Sequence, residues 1–197
     1  MKRTTIKTPL IASLLSLAVT CGLTLNSVHA ADMSHDSVMV GGQAMMPGKD
    51  IIDNAVNSAD HTTLVAAVKA AGLVDTLKGK GPFTVFAPVN SAFAALPAGT
   101  VDTLLKPANK ATLSHILTYH VVAGKLDMAT LAQQIKAGGG KAELTTVSGG
   151  KLWVTMNGPH NITLKDEKGA TADITTYDVY QSNGVIQVID KVLMPKS

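Results

Sequence analysis

The sequence predicts an α+β domain in which helices come first and an antiparallel sheet system follows. Between Ile51 and Ala137, apolar residues recur at the i, i+3, i+4 spacing of amphipathic helices. From Glu143 onward, β-branched and aromatic residues alternate or cluster in short runs. Gly149-Gly150, Asn157-Gly158, Lys168-Gly169 and Asn183-Gly184 separate these runs, and such dipeptides mark hairpins and tight turns.

The first 30 residues form a segment of a different kind. Lys2, Arg3 and Lys7 lead into an apolar stretch near Leu10 to Leu25, which ends at the small residues around Val28-His29-Ala30. This is the pattern of a secretory signal peptide, with cleavage expected after Ala30. Thr20, Cys21, Gly22 and Thr24 interrupt the apolar run, so no stable membrane span is expected after cleavage. Ala18-Val19-Thr20 is also a poor match to the residues that precede a lipidated cysteine. The segment holds three of the 17 basic residues and none of the 14 acidic ones, so the remainder is formally neutral. Neutrality gives no reason to expect nucleic acid or an anionic membrane as partner. Cys21 is the only cysteine. A secreted chain without disulfides must rely on its core, and about 165 residues suffice for one compact domain. The expected location is periplasmic or extracellular.

Residues 31–48 lack clear periodicity and are expected to be a lead-in with a mobile first half, while Met45-Met46-Pro47 packs on the domain. The domain is predicted to run from Lys49 to Ser197. Ile51, Ile52, Ala55 and Val56 form a short helical stripe. Asp60 or Thr62 can cap a second helix containing Leu64, Val65, Val68 and Ala71, which Gly72 stops. Leu73 to Leu77 continue as a short helix. Phe83 to Phe86 then read as a strand after the Gly81-Pro82 punctuation. Asn90 can cap a short helix through Ala92, Phe93 and Leu96, and Pro97 bars its extension. Another short turn is expected around Val101 to Leu105. Pro107 to His120 is the clearest amphipathic helix, with Leu113, Ile116, Leu117 and His120 on one stripe, which predicts a buried His120. Asp127 opens a helix that runs to Ala137 and stops at Gly138-Gly139-Gly140. Strands are expected at Glu143 to Val147, Leu152 to Met156, Ile162 to Leu164, Asp173 to Thr176 and Val185 to Leu193.

Three ordered stretches carry a family resemblance: FTVFAPVNSAF (Phe83 to Phe93), the pair Tyr119-His120, and NGVIQVIDKVLMP (Asn183 to Pro195). With HTTLVAAVKAAGLV (His61 to Val74) before them, the chain resembles a single fasciclin domain of the secreted bacterial kind over roughly Lys49 to Pro195. The resemblance implies a wedge-like sandwich of two β-sheets with helices packed around it. It further implies a non-enzymatic protein of cell adhesion whose partner is a cell-surface or matrix protein or a carbohydrate. Thr84, Pro88, Asn90, Tyr119, His120, Gly184, Asp190 and Pro195 are its expected structural residues. In one departure, the last motif often carries a histidine after Val-Ile, where this chain has Gln187.

No residue is expected to be catalytic, and no cofactor or metal is expected. His115 and His120 lie five apart, about 140° around a helix, and cannot chelate together. A buried His120 is instead expected to tie the helix to the following chain by a hydrogen bond. Neither a GxSxG elbow nor an HExxH motif occurs. Gly138 to Lys141 imitates a phosphate loop, but Ala142 stands where Ser or Thr is needed. Asp166-Glu167 is expected at a solvated hairpin tip. Met33, His35, Met39, Met45 and Met46 supply soft ligands, so a periplasmic copper or ligand carrier is the alternative function. Trp153 either covers the sandwich edge or contacts a ligand.

Overall fold

The computed structural model describes residues 37–196, so the expected signal peptide and the first half of the lead-in lie outside the described residues. The second half of the lead-in is an ordered hairpin, β1 (Val38–Val40) and β2 (Gln43–Met45). Val40 and Met45 enter the core while Met46 stays exposed. The domain therefore starts before Lys49. The hairpin strands are three residues each, too short for alternation to mark them in sequence.

Helices α1 (Ile51–Ala55), α2 (Thr62–Ala71) and α3 (Val74–Leu77) follow. Asp50 caps α1 by accepting from the Asp53 N–H at 2.8 Å. Gly72 ends α2 in the left-handed conformation, φ 71°. Next come β3 (Phe83–Pro88), α4 (Asn90–Ala94), α5 (Thr100–Leu104), α6 (Lys110–Tyr119), β4 (Val121–Ala123) and α7 (Met128–Ala137). The Asp127 carboxylate accepts from the Thr130 N–H at 2.8 Å and starts α7 as the sequence predicts. The rest is β5 (Lys141–Thr145), β6 (Lys151–Met156), β7 (Ile162–Lys165), β8 (Thr171–Gln181) and β9 (Gly184–Ile189).

The large sheet has the order β4-β3-β9-β8-β7-β6-β5. The expected antiparallel system is in fact mixed, because β3 and β9 pair in parallel from Phe83↔Gly184 to Pro88↔Ile189. Every residue of β9 is buried, as befits a central strand covered on both faces, and Gln187 is the one polar side chain in its run. The two sheets of the wedge share β8: Thr171 to Asp173 pair with β7, and Ile174 to Gln181 pair with β9. Register shifts on both sides of Thr176, with Asp178 at φ 55°, bend the strand from one half-sheet into the other. At the far side the halves meet again through a Val122↔Thr146 bridge and a 2.7 Å bond from the Val147 N–H to the Val121 carbonyl.

Alternation along the central strands divides the core in two. Val85, Ala87, Ile186 and Val188 face the layer of α1, α2 and α6. Phe86 and Ile189 face the interior of the wedge with Leu152, Val154, Ile162 and Leu164, and Leu131 and Ile135 of α7 cover it. Gln187 is fully buried, and its amide completes the β8 bend: Oε1 accepts from the Asp178 N–H at 3.1 Å, and Nε2 donates to Asp178 Oδ1 at 2.9 Å and to the Leu126 carbonyl at 3.1 Å.

Candidate functional site

Tyr119 and His120 sit where α6 passes into β4, both almost wholly buried. The Tyr119 hydroxyl donates to the Lys151 carbonyl at 2.6 Å and accepts from the Glu167 N–H at 3.1 Å. Burial pushes its pKa up to about 12. The ring needs Gly150 beneath it, since a Cβ there would lie 2.6 Å from Tyr119 Cε2. His120 Nε2 accepts from the Leu193 N–H at 3.0 Å, which leaves the proton on Nδ1 to be donated to the Ile116 carbonyl at 2.8 Å. Burial holds the ring's pKa down at about 4, against the opposing pull of the Ile116 carbonyl. Both groups are therefore neutral near pH 7 with their hydrogen-bonding capacity engaged inside the protein. The histidine ties α6 to the C-terminal segment 73 residues away, and not to the chain that follows it.

The same joint gathers further motif residues. Thr84 Oγ1 donates to the Gly124 carbonyl at 2.7 Å and accepts from the Leu126 N–H at 2.8 Å, holding the exit of β4. Asp166, expected at a solvated tip, is only 1% exposed. Its Oδ1 accepts from the N–H groups of Lys168 and Ala170, and its Oδ2 accepts from the Met194 N–H at 2.9 Å. The carboxylate thus organises the β7–β8 turn and clamps the C-terminal segment, a long-range partner that a turn motif does not announce. Glu167 accepts from the N–H groups of Lys196 and Lys151, bonds that lower its pKa. Pro195 is buried in that segment.

The remaining motif residues lie apart from this joint. Pro88 is buried at the end of β3, paired with Ile189. Gly184 meets β3 so closely that a Cβ would lie 2.1 Å from the Phe83 oxygen. Asp190 Oδ1 accepts from the Asp173 N–H at 2.8 Å. Asn90 does not cap its own helix, whose N-cap is Val89. Its Oδ1 instead accepts from the Thr63 N–H at 3.0 Å, and its amide donates to the Ala59 carbonyl at 2.8 Å. Asn90 therefore caps α2 from across the fold, and neither Asp60 nor Thr62 makes the expected cap. Asn183, not singled out in sequence, has a comparable role: Oδ1 accepts from the Ile51 N–H at the start of α1, and Nδ2 donates to the carbonyls of Leu77 and Gly79. Its place at the head of NGVIQVIDKVLMP was the available signal.

Trp153 stands on the outer face of the β5–β6–β7 sheet, opposite Glu143 on one neighbour and Lys165 on the other. It is half-buried, and its indole N–H donates to Glu143 Oε2 at 3.0 Å. Lys151 Nζ holds the other Glu143 oxygen at 2.8 Å, and this pairing lowers the Glu143 pKa. Lys141 Nζ lies 5.8 Å from the indole centroid. Thr145, Thr155 and Thr163 complete this outer face, with one aromatic ring near its middle.

Of the proposed soft-ligand set, Met33 and His35 lie outside the described residues. Met45 is committed to the core, and Met39 and Met46 are exposed. Among the described residues no group of three or more His, Cys, Asp or Glu side chains is placed to hold a metal ion, and no helix is long and apolar enough to cross a membrane.

The fasciclin domain family matches residues 59–195. Protein sll1483 of Synechocystis is 43% identical over 176 residues, covering 88% of this chain and 89% of that protein. The cell surface glycolipoprotein MPB83 of Mycobacterium bovis is 34% identical over 162 residues, 79% of this chain and 64% of that protein. A FAS1 domain pair from the insect cell adhesion molecule fasciclin I shares the fold, with a TM-score of 0.55 and 22% identity over 72% of this chain and 45% of that one.

Proposed function

Because the chain belongs to the fasciclin domain family, we propose that it is a secreted, non-enzymatic binding protein, periplasmic or extracellular, that holds a cell-surface or matrix protein or a carbohydrate. The cell-surface assignment in the name of its relative MPB83 supports that setting. The observation that carries the reading is the outer face around Trp153, where a half-buried indole is framed by Lys141, Glu143 and Lys165. An aromatic ring fixed by neighbouring hydrogen bonds offers apolar area with little conformational entropy left to lose. The motif residues contribute differently. Tyr119, His120, Thr84 and Asn90 are occupied in internal bonds, so they hold the scaffold together.

The test is retention of matrix proteins, glycans and envelope fractions on the immobilised chain, beside its Trp153→Ala variant. The expected result is micromolar retention by the native chain and at least a tenfold loss in the variant, with an unchanged melting temperature. Equal retention by both chains would remove the Trp153 face from the proposal. No retention of any partner at micromolar levels would overturn the binding function itself.

A further inference from the structure

The outer face that carries Trp153 holds its charges unequally. Glu143 has both carboxylate oxygens taken, one by the indole N–H at 3.0 Å and the other by Lys151 Nζ at 2.8 Å. Asp173, on β8 beyond Lys165, accepts from the Thr163 hydroxyl and is the remaining acid of this face. The lysines on either side of the ring are exposed, and among the described residues neither Lys141 nor Lys165 makes an ion pair. Lys165 stands directly opposite Trp153 on β7. Lys141 is on β5, and its Nζ lies 5.8 Å from the indole centroid, near the outer limit of about 6 Å for such a contact, so little holds it there. Strands β5 and β7 flank β6 and are two strand spacings apart, roughly 10 Å. The two lysines therefore bracket one aromatic ring, and with Glu143 neutralised they outnumber the acid that is left.

We infer that this face binds an acidic polysaccharide, whose carboxylates meet Lys141 and Lys165 while a sugar ring lies against the exposed part of Trp153. The inference rests on the binding function proposed above and names its partner. A neutral glycan would use the ring alone and gain nothing from the two lysines. A protein partner is disfavoured by composition, because protein interfaces centre on an apolar core. Trp153 is the one large apolar side chain on this face, and the exposed large apolar residues Met39, Met46, Val56 and Val147 all lie outside β5 to β8. Thr145 and Thr155 add hydroxyls, which both donate to and accept from the hydroxyls of a sugar. Beyond its first 30 residues the chain is formally neutral, so the attraction is local to this face and is screened by salt.

Trp153 is the only tryptophan of the chain, so its fluorescence reports this face directly. The experiment titrates the full chain with alginate oligosaccharides, a uronic acid polymer, at low salt. Neutral dextran and poly-L-glutamate, which carries carboxylates without sugar rings, are the other arms. The expected result is a saturable change in emission with alginate in the micromolar range, and binding of dextran and of poly-L-glutamate each weaker by roughly tenfold. Lys141→Gln and Lys165→Gln should each weaken alginate about threefold, the size of an exposed ion pair, and roughly tenfold together, with an unchanged melting temperature. If either variant does not fold, the contrast among the three polymers in the native chain decides the matter. An equal response to poly-L-glutamate, alginate binding that both lysine variants leave unchanged, or no response to alginate would overturn the inference. Its failure is distinct from failure of the binding function: a matrix protein or neutral glycan retained by the native chain and lost in Trp153→Ala, without alginate binding, overturns only the choice of partner.

Discussion

His120 carries one proton and spends both ring nitrogens on backbone groups, so replacing it strands the Leu193 N–H and the Ile116 carbonyl in a dry interior. His120→Ala is expected to cost about 3 kcal/mol, the sum of an unsatisfied pair and lost packing, measured by urea denaturation. The same residue sets an acid limit. Folding lowers its pKa from 6.5 to about 4, so in this window the unfolded chain binds a proton that the folded chain refuses. Its contribution is complete above the unfolded value and is lost as the pH falls through that window, on the order of 3 kcal/mol in all. His61, also held low by burial, acts in the same direction. The stability difference between about pH 7 and about pH 5 should therefore shrink in His120→Gln without vanishing. A variant as acid-sensitive as the native chain would show that other groups control the loss. At this scale the sequence was partly legible. Helical spacing put His120 inside, because periodicity reports which face is buried. It said nothing of Leu193, and it placed Asp166 in solvent because the C-terminal segment that covers this carboxylate comes from beyond the turn.

Elements whose ends are closed by their own neighbours could be read directly. Gly72 stops α2 and Asp127 starts α7 because each device acts within a few residues. Elements closed from a distance could not. The N-terminus of α2 takes its cap from Asn90, 27 residues away from Thr63, and the start of α1 takes its partner from Asn183, 132 residues from Ile51. In both cases an asparagine in a family motif supplies one acceptor and one amide to two different elements. Gly184 belongs to the same group of contacts, for its missing side chain lets β9 approach β3. Gly184→Ala should lose about 3 kcal/mol or fail to fold, since the clash is with backbone and cannot be relieved by a rotamer change. Asn183→Ala should lose about 2 kcal/mol through its stranded partners, with thermal melting as the measure. Native-like melting in Gly184→Ala would mean that β3 and β9 can separate without cost.

For the whole molecule, the helix-first order and the β meander were legible because they are local patterns repeated along the chain. The mixed sheet was not, since pairing between β3 and β9 joins Phe83 to Gly184, and no local pattern specifies which distant strand becomes a neighbour. The N-terminal hairpin was missed for a related reason: Val40 and Met45 are fixed by the core they enter more than by any pattern of their own. The central place of β9, between β3 and β8, governs when the fold can form. A ribosome completes β3, the helices and all the other strands before it reaches β9. A chain truncated after Ser182 should therefore lack a cooperative melt and its near-ultraviolet circular dichroism, while the chain extended through Pro195 recovers both. A stable truncated form would show that the β5–β8 half closes alone. Until that late strand emerges, β3 lacks its parallel neighbour and β8 lacks its partner from Ile174 to Gln181, so the half-sheets touch only at the Val122↔Thr146 edge and the last residues translated are the ones that lock the rest.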